Sequence, residues 1–174
     1  MSVGGDKPFG LNDVKVTNLA GDPQVDLPAA GVFAFKPVFT TNELRGDDQI
    51  VSVASRMSKA EWELEAGGID LDALAIITGW SVSSSGSTPN QQETLQFDGG
   101  DCNPYFKVYG RALGDICTDD IHVLLHKVKL LDMDGRLEDG EFFLTKCSGV
   151  AVDDGSNGVI KIIQHETAEA LPST

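Results

Sequence analysis

The sequence predicts an all-β domain, a two-sheet β-sandwich or barrel with one flanking α-helix. Segments rich in Val, Ile, Phe and Tyr recur along the chain, and Gly and Asp fill the connections between them. One segment alone has the spacing of an amphipathic helix. No repeat of fixed period is present, which argues against a solenoid or a propeller.

The clearest strand pattern runs from Val51 to Ala66. Its apolar residues fall mainly at alternate positions, with one change of phase near Ser58 that indicates a bulge or a tight turn. Glu61, Glu63 and Glu65 lie between the apolar positions and form one charged row. This alternation predicts a strand with one face packed on the core and the other facing water.

After Gly67 and Gly68 the period changes to that of a helix, with Ile69, Ala73, Ile76 and Ile77 on one stripe. Asp70 is the predicted N-cap and Gly79 the predicted C-terminal stop. A strand is the rival interpretation, because alternate residues from Ile69 to Ala75 are also apolar.

The first half of the chain contains the predicted strands Val14–Leu19, Val25–Leu27 and Val32–Phe39. Pro37 has no N–H to donate, so the third of these strands lies at a sheet edge or bulges there. Two segments without core-forming residues are predicted as loops, the polar Thr40–Gln49 and the Ser-rich segment 83–93 that follows Trp80–Val82.

The second half is predicted to be almost entirely strand, in five segments: Thr94–Phe97, Tyr105–Ala112, Ile121–Met133, Glu141–Val152 and Val159–Ala168. Short links favour antiparallel pairing as a meander or Greek key. Together with the first half, the pattern predicts about eight strands.

A chain of 174 residues fits one domain. We assign it to residues 13–168, between a flexible N-terminal arm at 1–12 and a flexible tail at 169–174. No apolar run approaches the roughly 20 residues of a membrane-spanning helix, and the N-terminus lacks the pattern of a signal peptide. Lys and Arg number 13 against 27 Asp and Glu, a net charge of −14. This charge argues against a conventional nucleic-acid-binding protein.

No residue pattern predicts a catalytic site, a metal site or a cofactor, so the sequence does not indicate an enzyme. Cys102, Cys117 and Cys147 lack the spacing of a zinc site or a disulfide framework, and we interpret them as buried small residues. His122 and His126 would share one face of a helix, but on a strand they lie about 13 Å apart, too far to hold one metal.

The aromatic residues Trp62, Trp80, Tyr105 and Tyr109 favour an alternative function, a carbohydrate-binding β-sandwich module. Trp62 falls in the packed row of its strand, which places it in the core instead. Exposed Tyr105 and Tyr109 would be the stacking residues of such a module.

Four stretches together resemble the major tail tube protein of long-tailed, non-contractile bacteriophages (siphophages). They are residues 31–79 (GVFAFKPVFTTNELRGDDQIVSVASRMSKAEWELEAGGIDLDALAIITG), 104–112 (PYFKVYGRA), 121–131 (IHVLLHKVKLL) and 139–154 (DGEFFLTKCSGVAVDD). The resemblance implies two packed β-sheets with a flanking helix, and six-membered rings that stack into the tube through which the genome passes. The same fold is shared with contractile tail tubes and secretion tubes, so fold alone does not separate them.

The resemblance also implies partners and a location. The subunit would assemble in the host cytoplasm into the virion tail, with the tape measure, tail tip and tail terminator proteins, and DNA would pass without specific binding. The polar segment is then our hypothesis for contacts between subunits and rings, through Asn42, Glu43, Leu44, Arg45, Gly46, Asp47 and Asp48. Glu61, Glu63 and Glu65 are the hypothesis for an acidic row facing the channel, where like charge repels phosphate.

Overall fold

The computed structural model describes residues 8–27, 29–68, 70–100, 102–114 and 119–172. These residues form ten strands and one helix, so the expected eight strands were too few. In chain order they are β1 (Asp13–Asn18), β2 (Gln24–Asp26), β3 (Ala30–Gly46), β4 (Gln49–Gly67), α1 (Leu71–Thr78), β5 (Ser81–Ser85), β6 (Gln92–Gln96), β7 (Tyr105–Leu113), β8 (Asp120–Arg136), β9 (Leu144–Ala151) and β10 (Lys161–His165). The predicted all-β fold with one flanking helix is confirmed.

Nearly all strands belong to one antiparallel sheet in the order β2-β1-β7-β8-β9-β4-β3. The long strand β8 pairs with β7 along one side. On its other side, its first part pairs with β10 and its second part with β9. β8 therefore runs from one half of the sheet into the other, and of the two arrangements predicted, β7, β8 and β9 form the antiparallel meander.

The sheet folds over so that its two halves pack face to face. Trp62 of β4 meets Phe106 of β7 edge to face, with ring centroids 5.6 Å apart, and Phe33 of β3 lies directly over Gly110 of β7. The shared core contains residues from both halves and from α1: Val14, Val16, Ala60, Trp62, Leu64, Ala73, Ile76, Ile77, Phe106, Val108, Leu125 and Val128 among others. The predicted core position of Trp62 is confirmed.

Helix α1 has both predicted caps. The Asp70 carboxylate accepts a hydrogen bond from the Ala73 N–H at 2.9 Å, which satisfies one of the free N–H groups of the first turn. Gly79 ends the helix with φ of 78°, and its N–H donates to the Ala75 carbonyl. These contacts decide for the helix against the rival strand interpretation.

Strand β4 contains the bulge that the change of phase predicted. The pairing with β3 passes from Val38↔Lys59 to Phe39↔Met57, which leaves Ser58 as the extra residue, and the Ser58 hydroxyl donates to the Val38 carbonyl. Pro37 lies on β3, the last strand of its sheet, in agreement with the edge position that its missing N–H requires.

One predicted loop is wrong and the other is right only in its middle. Residues 40–46 and 49 belong to β3 and β4, joined by a turn at Asp47 and Asp48. In the Ser-rich segment, residues 86–91 are the connection of a hairpin, but its two ends belong to the paired strands β5 and β6. Both segments expose both faces to solvent, so neither needs the hydrophobic alternation by which a strand is recognised. These segments are strands because they pair with each other across the hairpin, and the local sequence does not reveal such pairing.

The chain ends make specific contacts where they are described. Of the predicted N-terminal arm, residues 8–12 are described. The N–H groups of Phe9 and Asn12 donate to the carbonyls of Leu113 and Arg111. The tail that we expected to be flexible is described to residue 172, and its Leu171 is only 2% exposed. Leu171 packs with Tyr109 and Leu124, which fastens this part of the tail to the body.

The cysteines divide between core and surface. Cys147 is buried, as predicted, but Cys102 is exposed, because it lies in the irregular segment before β7 and not in a strand; Cys117 lies outside the described residues. Burial raises the pKa of the Cys147 thiol from 9.0 to about 11, since an apolar environment disfavours the thiolate.

We therefore expect native Cys147 to resist alkylation by iodoacetamide at pH 8, where a thiol of pKa 11 has about 100-fold less thiolate than one of pKa 9. Exposed Cys102 should react readily, and Cys147 should react only after unfolding in urea. Because the folded-state pKa is raised, the stabilisation from neutral Cys147 is complete below pH 9 and is lost as the pH rises towards 11. Peptide mass spectrometry measures both rates, and equal rates in the native protein would contradict the assigned burial.

Candidate assembly interface

Strands β3 and β4 extend beyond the body as a two-stranded arm. We define the arm as residues 39–57, which pair from Phe39↔Met57 to Gly46↔Gln49. Every residue from 39 to 56 is exposed. Eight cross-strand pairs give the arm a reach of about 25 Å. An isolated two-stranded ribbon is marginally stable in water, so this arm is suited to a contact that covers it.

One face of the arm continues the hydrophobic core of the body. Met57 packs against the core, and by alternation its face also carries Val53 and, after the irregularity between Leu44 and Arg45, Ile50. Phe39 and Val53 are each 58% exposed. The same face carries Glu43 and Arg45, which pair with Val53 and Ile50, and the other face carries Leu44 and Ala54 among polar residues. Phe39, Ile50, Val53 and Met57 are therefore an apolar strip that continues outward from the hydrophobic core, with the charged pair of Glu43 and Arg45 beside its outer part.

All seven residues predicted for contacts between subunits lie on the arm, close to its tip. Asp47 and Asp48 form the turn, with φ of 43° and 65°. Positive φ at both central residues is the geometry of the tight hairpin turn that matches strand twist, and Asp tolerates it better than most residues. Glu43 and Arg45 share one face and form an ion pair of 2.9 Å, whereas Asn42 and Leu44 lie on the other. Gly46 pairs with Gln49 next to the turn.

The outer side of β3 is an open sheet edge. Along the described chain, no strand pairs with that side, although β3 is 17 residues long. A long open edge can pair with a strand of another chain. On β3 the row of backbone N–H groups is interrupted only at Pro37, which has no N–H. Strand β3 therefore provides both the open edge and one of the two strands of the arm.

The acidic row lies where the alternation placed it, on the face of β4 opposite the core. It is flanked by lysines on both neighbouring strands: the Lys146 ammonium lies 2.6 Å from Glu63, and Lys36 lies 4.0 Å from Glu61. The hydrogen bond from Lys146 to Glu63 raises the pKa of Lys146. By the pairing register this face carries the acids Glu61, Glu63, Glu65, Asp132 and Asp134 and the bases Lys36, Lys59, Lys129 and Lys146. The face is therefore close to neutral, which the row alone did not reveal.

The four aromatic residues do not form one exposed platform. Trp62 and Tyr109 are each only 2% exposed, so the expected stacking role of Tyr109 is wrong. Trp80 stacks on Phe97, with centroids 4.0 Å apart, and Tyr105 lies beside Lys127 and Lys129. Strand β7 alternates, and Tyr109 points into the smaller core beside Leu124 and Leu171. Of the two predicted stacking residues Tyr105 is exposed and Tyr109 is not, so the four residues do not form the platform that the carbohydrate-binding alternative requires.

A buried polar cluster occupies the junction of β7, β8 and β10. One oxygen of Asp120 accepts hydrogen bonds from Arg111 at 2.8 Å and from the Glu169 N–H at 2.8 Å, and it lies 3.2 Å from the Nε2 atom of His122. Burial by itself would raise the pKa of Asp120, but these partners outweigh burial and hold it below its ordinary value.

His122 and His126 both lie on strand β8, as predicted, and of the two His122 belongs to the cluster. His126 lies apart from the cluster, against Tyr109, whereas the ring of His165 contacts the ring of His122 in a tilted arrangement with centroids 4.5 Å apart. The sequence does not predict this contact, because His165 is far along the chain and only the pairing of β10 with β8 brings the two rings together.

A scan against protein-family models finds no match, and a search of curated proteins finds none either. Within the described residues, no helix has the length and apolar character needed to cross a membrane.

Proposed function

We propose that this chain is a structural subunit that assembles into stacked hexameric rings, the tail tube of a long-tailed bacteriophage. The observation that carries the proposal is the arm with its exposed apolar strip, on the same strand as a long open sheet edge. Exposed apolar residues and an open sheet edge lower the solubility of an isolated subunit, and another chain that covers them removes this effect. The resemblance in residues 31–79, which span the arm, supports the identity of that other chain as a second subunit.

A ring would close through the layer formed by β8, β9, β4 and β3. Pairing the open edge of β3 with a neighbouring subunit would remove that edge, as barrel closure does. Four strands from each of six subunits give 4 × 6 = 24 strands, and a barrel of that size is about 45 Å across between backbones. After inward side chains are subtracted, the channel still admits a double helix.

The core covers one face of this layer, so its other face would line the channel. That is the face of Glu61, Glu63 and Glu65, with the lysines of the flanking strands. Paired charges of both signs leave little net attraction for phosphate, which would allow DNA to slide without being held. Assembly in the host cytoplasm, incorporation into the virion, and contacts with the tape measure, tail tip and terminator proteins belong to the same proposal.

We expect the purified chain to form rings or hollow tubes of uniform width as its concentration rises, observed by negative-stain electron microscopy with size-exclusion chromatography. A net charge of −14 makes subunits repel one another, so assembly should increase from about 0.05 M to about 0.5 M salt as the Debye length falls below 10 Å. A chain that remains monomeric at its highest soluble concentration in both salts, and also when offered preformed ring or tip complexes, would contradict the proposal.

A further inference from the structure

Three residues with metal-binding side chains meet where β8 pairs with β10. Asp120 is opposite His165 in the register, and His122 is two residues along β8 from Asp120 on the same face. The ligand atoms that the three side chains offer lie within 4.8 Å of one another. The positions are set by backbone pairing and not by a flexible loop.

Each of these three side chains also has a buried polar atom for which the described part of the chain supplies no hydrogen-bond partner. The atoms are Oδ1 of Asp120, Nδ1 of His122 and Nε2 of His165. Asp120 and His122 are completely buried. A buried polar atom without a partner costs free energy, and three such atoms on adjacent side chains call for a shared explanation.

We propose that Asp120, His122 and His165 bind one divalent transition-metal ion, with Zn²⁺ as the best match. Two imidazoles and one carboxylate are ligands that Zn²⁺ prefers, and hard ions such as Ca²⁺ and Mg²⁺ take oxygen ligands instead. A water molecule completes a tetrahedral set. The bound ion joins β10 to β8 and so fastens the C-terminal segment to the body of the subunit.

Arg111 limits the metal affinity that we expect of this site. Its guanidinium lies 2.8 Å from Oδ2 of Asp120 and leaves Oδ1 for the metal. A fixed positive charge so close repels the incoming cation, and only three protein ligands are present. We therefore expect affinity well below that of four-ligand structural zinc sites, and an ion that stabilises the fold without being required for it.

The test uses the full-length chain without a histidine tag, freed of metal by chelation. Titration calorimetry with Zn²⁺ should show one equivalent bound, and Co²⁺ should give the visible absorption of tetrahedral coordination. Zn²⁺ at about 100 times its Kd should raise the Tm by roughly 5–10 °C. His165→Gln should weaken Zn²⁺ binding at least about tenfold. Mutating a residue that only hydrogen-bonds to a metal ligand already lowers metal affinity by about this factor, and His165 is proposed as a ligand itself. His165 is partly exposed on an edge strand, so this variant should fold, which circular dichroism checks.

His126→Gln is the matched control, because it removes a histidine from the same strand β8 outside the three-residue cluster. It should bind Zn²⁺ as the wild type does. No saturable Zn²⁺ binding by the wild type, equal binding by His165→Gln, or loss of binding in His126→Gln would each overturn the proposal. Since the site lies away from the arm, its failure would leave the proposed assembly function standing.

Discussion

Val53→Lys is expected to remain a folded monomer and to lose the ability to form rings and tubes. Val53 lies on the apolar strip of the arm, is 58% exposed and contributes nothing to the core. Burying such a side chain at a contact is worth roughly 1.5–3 kcal/mol, and a lysine in its place would also bury a charge. The concentration needed for assembly should therefore rise at least about tenfold. Sedimentation and electron microscopy measure this concentration.

Ala54→Lys is the matched control for Val53→Lys. Ala54 is the next residue on the same strand, is equally part of the arm, and faces the opposite side, paired with Asn42. It adds the same charge, so any difference between the variants reports the face and not the net charge. Assembly of Val53→Lys at the wild-type concentration would show that the apolar strip is not a contact surface, whereas equal loss of assembly in both variants would place contacts on the face of Asn42 and Leu44 as well.

A shortened arm gives a second, independent test of the same surface. Replacing residues 40–56 with Asn-Gly would connect Phe39 directly to Met57, a pair already in register, through a favoured two-residue turn. All the removed residues are exposed, so the Tm should change little while assembly is abolished. Retained tube formation by this variant would exclude the arm from the assembly contacts.

The parts of the fold that could be predicted from sequence are those in which one face is buried. Val51–Ala66 alternates because its even positions from Ala60 onward enter the core, and its break in phase located the bulge at Ser58. Local chemistry likewise predicted Asp70 and Gly79 as caps. Where both faces are exposed, as at residues 40–49, the same reasoning predicted a loop, because no burial constrains the pattern.

The candidate sites could also be predicted only in part, because some of their contacts join residues on different strands. The row of Glu61, Glu63 and Glu65 lies within one strand, so its shared face could be predicted from alternation. The lysines that neutralise it, and the contact of His165 with His122, depend on which strands are neighbours. Strand order in an antiparallel sheet is a property of the whole fold, and it cannot be derived from the spacing of residues along one chain.

Gly149→Ala is expected to be among the most destabilising single substitutions in this chain. Gly149 lies on the central strand β9, between Trp62 on β4 and Leu130 on β8, with all three on the core face. A Cβ atom at this position would overlap the Lys129 carbonyl oxygen and lie 3.0 Å from Nε1 of Trp62. Neither neighbour can move freely, because one is backbone and the other is a buried indole in contact with Phe106.

Relieving this overlap requires a shift of the β8–β9 pairing or of the indole, and such overpacking costs about 3 kcal/mol. For a domain of this size the Tm should fall by roughly 6–12 °C. Gly31→Ala is the matched control: Gly31 also lies on a strand, but a Cβ there meets nothing within 4 Å, so its Tm should stay within about 2 °C of the wild type. Thermal unfolding followed by circular dichroism compares the two. Equal Tm values would mean that the β8 backbone and the Trp62 indole do not pack as closely against Gly149 as the structure has them.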